Sequence, residues 1–276
     1  MKNWLITGGS SGIGAGIARA ALQNGDRVAV TSRNLKKLAE LKQQFGENCY
    51  PIELDLSDND SINRMFDQLD KWGSTDVLVN NAGHGYRAAV EEGEWGQINA
   101  IYSTNLFAPI KIIQHVLPSM RKKHQGIIIN ISSIAAIESG IGSGYYASTK
   151  AALEQISIAL QAEVDNLGIK SMIVAPGRFR TSFYGKNLCG TKKIIDDYAN
   201  TAWLTHKENV KNKHDELGDP IKAGQIICQL VTNDLDLPNY LLLGSDAVQF
   251  AKEKLKERLN QINMWQKTSD QTDFTN

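Results

Sequence analysis

The sequence predicts an α/β fold, a doubly wound parallel sheet with helices on both faces in three layers. Three observations predict it. Short apolar runs alternate with stretches of helical period. A glycine-rich turn joins the first such strand to the first such helix. The polar motifs recur where strands end, which is where ligands sit in such sheets. Residues 4–7 read as the first strand, and Ile13, Ile17, Ala21 and Leu22 share one face of the helix after it. Residues 28–31 form a second strand, and Leu35, Leu38, Leu41 and Phe45 mark a second helix. Residues 50–54 are a third strand, followed by a helix carrying Ile62, Phe66 and Leu69. Residues 77–79, apolar at consecutive positions, read as a strand buried on both faces. Residues 127–131 and 172–174 are two more, each preceded by a long helical stretch, near 98–122 and 147–167. Residues 241–243 are a last short strand. Right-handed crossovers then make the sheet parallel.

Composition removes several function classes. Of 276 residues 42% are hydrophobic, enough for a core without a disulfide or metal staple. Thirty basic and thirty acidic residues cancel, which gives a nucleic-acid partner no support. No apolar run approaches the roughly 18 residues of a membrane span. The N-terminal apolar stretch breaks into Thr7-Gly8-Gly9 too soon for a signal-peptide core. Cys49, Cys189 and Cys228 are far apart and odd in number, so they build neither a disulfide framework nor a Cys-x-x-Cys site. His84, His115, His124, His206 and His214 show no metal spacing. The expectation is a cytoplasmic protein with a small-molecule partner and no metal.

Thr7-Gly8-Gly9-Ser10-Ser11-Gly12-Ile13-Gly14 joins the first strand to the first helix. Its glycines let backbone approach a pyrophosphate, and the helix N-terminus supplies N–H donors. The spacing is Gly-x-x-x-Gly-x-Gly, and the competing reading is a plain tight turn. A dinucleotide site for NAD usually carries an acid at the end of the second strand. This chain has Thr31-Ser32-Arg33 there. The planar fork of Arg33 suits a 2′-phosphate, which favours NADP(H) without excluding NAD(H); otherwise Arg33 is a solvated arginine. Asp55, with Leu56 beside it, follows the third strand and either accepts from an adenine amine or caps the helix after Ser57. Asn80-Asn81-Ala82-Gly83 follows the fourth strand and suits close backbone approach to a ligand, or a turn.

Tyr146 and Lys150, four apart on a helix, share a face. A tyrosine is a poor base at neutral pH, but a neighbouring ammonium favours its phenolate, so the pair can pass a proton to or from an alcohol oxygen. Tyr145 is followed at the same spacing by Thr149, which fixes the register. Ser132 and Ser133 follow the strand at 127–131, where a hydroxyl can hold a substrate oxygen or simply make a loop. No serine sits in a nucleophile elbow, so a Ser-His-Asp hydrolase is not supported.

Taken in order, Thr7-Gly8-x-x-x-Gly12-x-Gly14, Asp55, Asn80-Asn81-Ala82-Gly83, Asn105, Ser133, Tyr146-x-x-x-Lys150 and Pro176-Gly177-x-x-x-Thr181 resemble the short-chain dehydrogenase/reductase family in its compact, Rossmann-like single-domain branch. Each motif is weak alone, and their joint order over residues 3–181 is specific. The segments 176–183 and 241–247 are similar to the 17β-hydroxysteroid-dehydrogenase-like group, a broad group whose name does not fix a steroid substrate. The resemblance implies Tyr146 as general acid in carbonyl reduction and base in alcohol oxidation. It implies that Lys150 holds the nicotinamide ribose and that Ser133, 13 residues before Tyr146, positions the substrate oxygen. It implies that Asn105 fixes a water of a proton relay, where the alternative is an amide satisfied by backbone. Gly8, Ser10, Ser11, Gly12, Ile13, Gly14, Ser32, Arg33, Asp55, Leu56, Asn81, Ala82 and Gly83 would hold the adenosine and phosphate end of the cofactor. Pro176, Gly177, Phe179 and Thr181 would pack on the nicotinamide end. One departure is Ser11, where many NADP-dependent relatives carry a basic residue.

Residues 183–217 break the rhythm with Phe183, Tyr184, Leu188, Ile194, Ile195, Tyr198, Trp203 and Leu204 among polar residues. In this position the family places a mobile, helical substrate lid. These side chains either give the pocket a largely apolar wall or form the lid's own core. Residues 134–144, with glycines at 140, 142 and 144, would line the other wall. The catalytic domain is expected over 1–250, and 251–276 is a C-terminal helix with a polar tail from 268 that is poorly ordered. Residues 247–262 read as that helix, a solvated face or a subunit contact. A homodimer or homotetramer is the family expectation. The function so read is NADP(H)-dependent hydride transfer to or from a carbonyl or secondary alcohol of an apolar small molecule. The alternative is a catalytically silent nucleotide-binding regulator on the same fold. An epimerase or dehydratase of the longer branch would need more C-terminal chain.

Overall fold

The computed structural model describes residues 1–183, 188–204, 207, 215–233 and 237–274. Its centre is a seven-stranded, all-parallel sheet built from β1 (Asn3–Ile6), β2 (Arg27–Ser32), β3 (Cys49–Glu53), β4 (Val77–Asn80), β6 (Gly126–Ile131), β7 (Ile169–Pro176) and β9 (Tyr240–Leu243). Their order across the sheet is β3-β2-β1-β4-β6-β7-β9. β1 pairs with β2 on one side and β4 on the other, so the winding reverses direction between β1 and β4. Pro51, which cannot donate to a ladder, lies in β3 at the sheet edge.

Two cores follow from the period-two alternation of the strands. Trp4 and Ile6 of β1, Val28 and Val30 of β2, and Met172 and Val174 of β7 face one side. There they meet α1 (Gly12–Gln23), α2 (Ala39–Phe45) and α7 (Pro220–Thr232). Leu5, Ala29, Leu78 and Ile128 face the other side. There they meet α3 (Asn59–Trp72), α5 (Ala108–Lys123) and α6 (Gly144–Val164). Two glycines let α1 and α7 close together: a Cβ at Gly16 would run into the Pro220 carbonyl, and one at Gly224 into the Gly16 backbone. Trp4 is fully buried and donates its indole N–H to Asp26 at 3.0 Å, so its polar edge is satisfied.

Several elements differ from expectation. Leu35 is exposed and belongs to a 3₁₀ turn; the second α-helix begins only at Ala39. Asp58, not Asp55, caps α3 by accepting from the Asp60 N–H. The helix expected over 98–122 is three pieces: α4 (Trp95–Tyr102), a π-helical segment Ser103–Phe107, and α5. Two three-residue strands that no apolar run announced, β5 (Gly85–Arg87) and β8 (Leu188–Gly190), pair in parallel as a separate small sheet. The last helix, α8 (Ser245–Ser269), crosses residue 250 unbroken and continues into a 3₁₀ turn at Asp270–Thr272. The polar stretch from 268 is therefore helical through Ser269. No proline or glycine interrupts 245–269, and polar composition alone does not stop a helix.

Candidate active site

A cavity of about 1140 Å³ opens at the carboxyl ends of β1, β2, β4, β6 and β7, over the point where the winding reverses. Its lining includes every expected site residue except Gly14 and Asn105.

The loop after β1 forms one end. Gly8 (φ +70°) and Gly12 (φ +59°) occupy the left-handed region that a Cβ disfavours. A side chain at Gly14 would run into the Asn81 amide and the Gly8 carbonyl, so this glycine shapes the loop from behind. Asn81 braces the loop, its side-chain amide donating to the carbonyls of Thr7 at 2.9 Å and Gly8 at 3.2 Å. Thr7 in turn accepts from the N–H groups of Asn81 and Ala82. Ser32 donates to Ser10 at 3.1 Å, which ties the end of β2 to the same loop. Arg33 lines the cavity as an exposed cation, and Lys37 joins it; sequence reasoning missed Lys37 because a lysine in an exposed turn carries no pattern. Asp55 accepts from the hydroxyl and the N–H of Ser57. The Ser57 hydroxyl first, then its N–H and the Arg33 charge, hold the Asp55 carboxyl below its usual range against the opposing effect of burial.

Tyr146 and Lys150 lie in the first two turns of α6, both buried. Lys150 donates to the Ile131 carbonyl at 2.7 Å. Burial pushes its ammonium down to about 8, with the Glu154 carboxylate pulling the other way. The Tyr146 ring meets Phe183 at a centroid distance of 5.3 Å. Ser133 turns its hydroxyl to the Ala135 N–H at 3.1 Å and lines the cavity. Ser132 also lines it, but it donates to Glu154 at 2.6 Å. Asn105 sits in the π-helical segment, fully buried. It accepts from the His84 N–H at 3.1 Å, donates to the His84 carbonyl at 3.0 Å, and reaches Thr149 at 3.2 Å. Its amide is thus satisfied in part by backbone. A Cβ at Gly83 would lie 3.0 Å from Asn105 Oδ1 and 3.6 Å from Lys150 Nζ, so both groups face that peptide.

The far wall carries Ala100, Thr104, Ile134, Ala135, Glu138, Ser143, Phe183, Cys189 and Phe250, with His84 and the buried Arg87. Burial first, then the charges of Arg33 and Lys150, hold the His84 imidazole below its ordinary range. This wall is mixed rather than largely apolar. Of the lid's apolar residues named from sequence, Phe183 lines it; Leu188 is buried, and Ile194 and Leu204 are exposed. Tyr198 and Trp203 hydrogen-bond to Glu91 and Glu92 instead. Tyr184, His206 and His214 lie outside the described residues, as do other parts of 183–217. The described lid residues hold β8, a 3₁₀ turn at Asp196–Tyr198 and α-helical residues at 202–204 and 207. Gly177 is fixed by its N–H to the Leu243 carbonyl, and Thr181 packs against Gly12, which brings the segment after β7 onto the glycine loop. Glu154, His84, Arg87 and Lys37 are the lining or supporting groups that sequence reasoning did not single out. Among the described residues no group of three or more His, Cys, Asp or Glu could hold a metal, and no helix is long and apolar enough to cross a membrane.

Comparison with known proteins adds independent findings. The short chain dehydrogenase family model matches residues 2–188. An oxidoreductase of Botryotinia fuckeliana, BOA17, is 34% identical over 252 residues, covering 91% of either chain. The NADP-dependent 3-hydroxy acid dehydrogenase YdfG of Escherichia coli is 32% identical over 213 residues, covering 74% of this chain and 84% of that one. A crystal structure of a short-chain dehydrogenase from Streptomyces avermitilis superposes with a TM-score of 0.90 at 37% identity, over 99% of this chain and all of the other. These relatives carry the family and not the 17β-hydroxysteroid subgroup. Fold, motif order and relatives agree, and the chain belongs to the short-chain dehydrogenase family.

Proposed function

We propose that this chain is an NADP(H)-dependent oxidoreductase that interconverts a carbonyl and a secondary alcohol, with Tyr146 as general acid and base. The observation that carries the reading is that one cavity joins the glycine loop and Arg33 at one end to Ser133, Tyr146 and Lys150 at the other. The residues fit the cofactor: the loop brings glycine backbone and the small side chains of Ser10 and Ser11 to the cavity, and Arg33 with Lys37 supplies cations where a 2′-phosphate would lie. The volume slightly exceeds the roughly 300–1,000 Å³ of ordinary ligand pockets, leaving room for a substrate beside a dinucleotide. The NADP dependence of the Escherichia coli relative supports the same choice.

The cofactor, when bound, supplies or accepts the hydride. Tyr146 gives its phenolic proton to the carbonyl oxygen in reduction and takes it back in oxidation. Ser133 holds that oxygen in place, which orients the reacting carbon and supports its developing charge. The Lys150 ammonium eases ionisation of the tyrosine. Asn105 keeps a lone pair on Oδ1 beyond its His84 bond, and we assign it the water of a proton relay toward Lys150. The substrate body lies against Ile134, Ala135 and Phe183. We propose a cytoplasmic homodimer or homotetramer, whose subunits would cover the exposed Trp95 and Phe107 or the outer turns of α8; light scattering reads the mass directly.

The test is thermal unfolding with NADPH, NADH or neither. A ligand at about 100 times its dissociation constant adds roughly 2.7 kcal/mol. A clear shift with NADPH and little with NADH, followed by turnover on a panel of carbonyls, is the expected result. No shift with either cofactor would remove the reading.

A further inference from the structure

The turn at residues 90–94 carries three acids, and all three hold the segment that follows β8. Glu92 is fully buried. Its Oε1 accepts from the Ile195 N–H at 2.7 Å and from the Trp203 indole at 3.0 Å, and its Oε2 accepts from the Ala89 N–H at 3.1 Å. Its carbonyl accepts from the Thr191 hydroxyl at 2.9 Å. Glu94 accepts from the Lys192 N–H at 3.0 Å. Glu91 accepts from the Tyr198 hydroxyl at 2.8 Å, and its carbonyl from the Lys193 ammonium at 3.0 Å. A buried carboxylate is costly unless several donors converge on it, and here two of the three, from Ile195 and Trp203, come from about a hundred positions away. The turn is itself clamped to the catalytic helix, where Tyr145, next to Tyr146, donates to the Val90 carbonyl at 2.7 Å, and to β5, where the Tyr86 hydroxyl accepts from the Glu94 N–H at 3.0 Å. Just before the latched segment stand Phe183, which touches the Tyr146 ring, and Cys189, and both line the cavity.

We propose that Glu92 is a positioning residue, a latch whose carboxylate holds residues 191–203 against the 90–94 turn and thereby sets the wall that Phe183 and Cys189 raise over the carbonyl substrate. The proposal rests on the oxidoreductase reading for its substrate, but the latch can be measured without turnover. Glu92→Gln keeps size and one acceptor oxygen, and turns an –NH₂ toward N–H groups that need an acceptor. Hydrogen exchange at the Lys192 and Ile195 amides should accelerate about tenfold or more. The KM for the carbonyl substrate should rise about tenfold with kcat changed less than about threefold, because the acid–base groups stay in place. The unfolding shift with NADPH should persist. Trp203→Phe removes one donor and should show the same pattern at reduced size; it serves if Glu92→Gln does not fold. Unchanged exchange at both amides would overturn the latch. Faster exchange with an unchanged KM would overturn its role in placing substrate. Loss of the NADPH shift along with the KM change would mean a general loss of fold and would overturn the assignment as well. If no carbonyl substrate is found at all, the oxidoreductase reading fails, while the exchange result still decides the latch.

Discussion

The two ends of the cavity are built by different means. The glycine-loop end is made of consecutive residues at strand ends; the Asn81 amide donates to the first loop's Thr7 and Gly8 carbonyls, and the Thr7 hydroxyl accepts from the Asn81 N–H. The far end gathers residues from six distant places: His84 with Arg87, Ala100 with Thr104 of α4 and the π-helical segment, the loop after β6, the start of α6, Phe183 with Cys189 of β8, and Phe250 of α8. It is held by the short β5–β8 pair and by carboxylates on long-range hydrogen bonds rather than by the main sheet. In the proposed reading the first end holds the cofactor, a task that suits a geometry fixed by backbone. The second would face the substrate, where one side-chain change can alter shape without touching the main sheet.

The largest expected effect separates chemistry from both ends. Tyr146→Phe removes the phenolic proton and nothing from the glycine loop. Turnover should fall by about 10² to 10⁴ while the NADPH unfolding shift stays. Retained turnover would mean that another group carries the proton, and the role given to Tyr146 would go. Next is the glycine-loop end alone. Arg33→Asp places an acid where a 2′-phosphate would lie, and the ratio of kcat/KM for NADPH over NADH should drop about tenfold or more. An unmoved ratio would shift selection to Lys37 or Ser32.

A third substitution probes the frame beneath both ends. Gly224→Ala puts a methyl against the Gly16 backbone between α1 and α7. Overpacking of this kind costs about 1–3 kcal/mol, and the Tm should fall by several degrees while kcat at low temperature is kept. A drop in kcat without a drop in Tm would show that the α1–α7 contact acts on the site rather than on the fold.

The same contrast explains what the sequence disclosed. The sheet, the glycine loop and the Tyr146–Lys150 pair are encoded by spacings of two and four residues, so period and motif find them. Ser133 was separable from Ser132 only through the family's spacing, and the structure supplies a physical difference: Ser132 is engaged with Glu154. β5 and β8 are three residues each and depend on one another across a hundred positions, which leaves no local signal. Arg87 and His84 sit in that same stretch. Glu92 reads as one acid in a charged turn, and nothing near it in sequence says that it is buried. The tail misled in the opposite sense: Thr268 and Ser269 read as the start of a poorly ordered end, yet they simply continue a helix that no breaker stops.

The smallest expected effect concerns a residue between the two ends. Glu154 lies one turn below Lys150, accepts from Ser132 at 2.6 Å and from Tyr240 at 3.4 Å, and so holds the strand end whose Ile131 carbonyl receives the Lys150 ammonium. Lys150, lowered by burial to about 8, carries its charge below that value and loses it as pH rises through it. Reduction that depends on the ammonium should therefore decline above about pH 8. Glu154→Gln removes the negative charge that supports the ammonium, so the lysine should titrate lower still and the alkaline limb should move toward neutral pH, by about one unit or less. On the acid side the two profiles should converge. Burial raises the Glu154 carboxyl, against the Ser132 and Tyr240 hydrogen bonds and the Lys150 charge, so the native residue gives up its negative charge, and with it the difference from the amide, sooner on the way down in pH than an ordinary glutamate. A limb that stays put would show that Glu154 serves only to anchor Ser132, and a limb that moves to higher pH would contradict the charge coupling between the two residues.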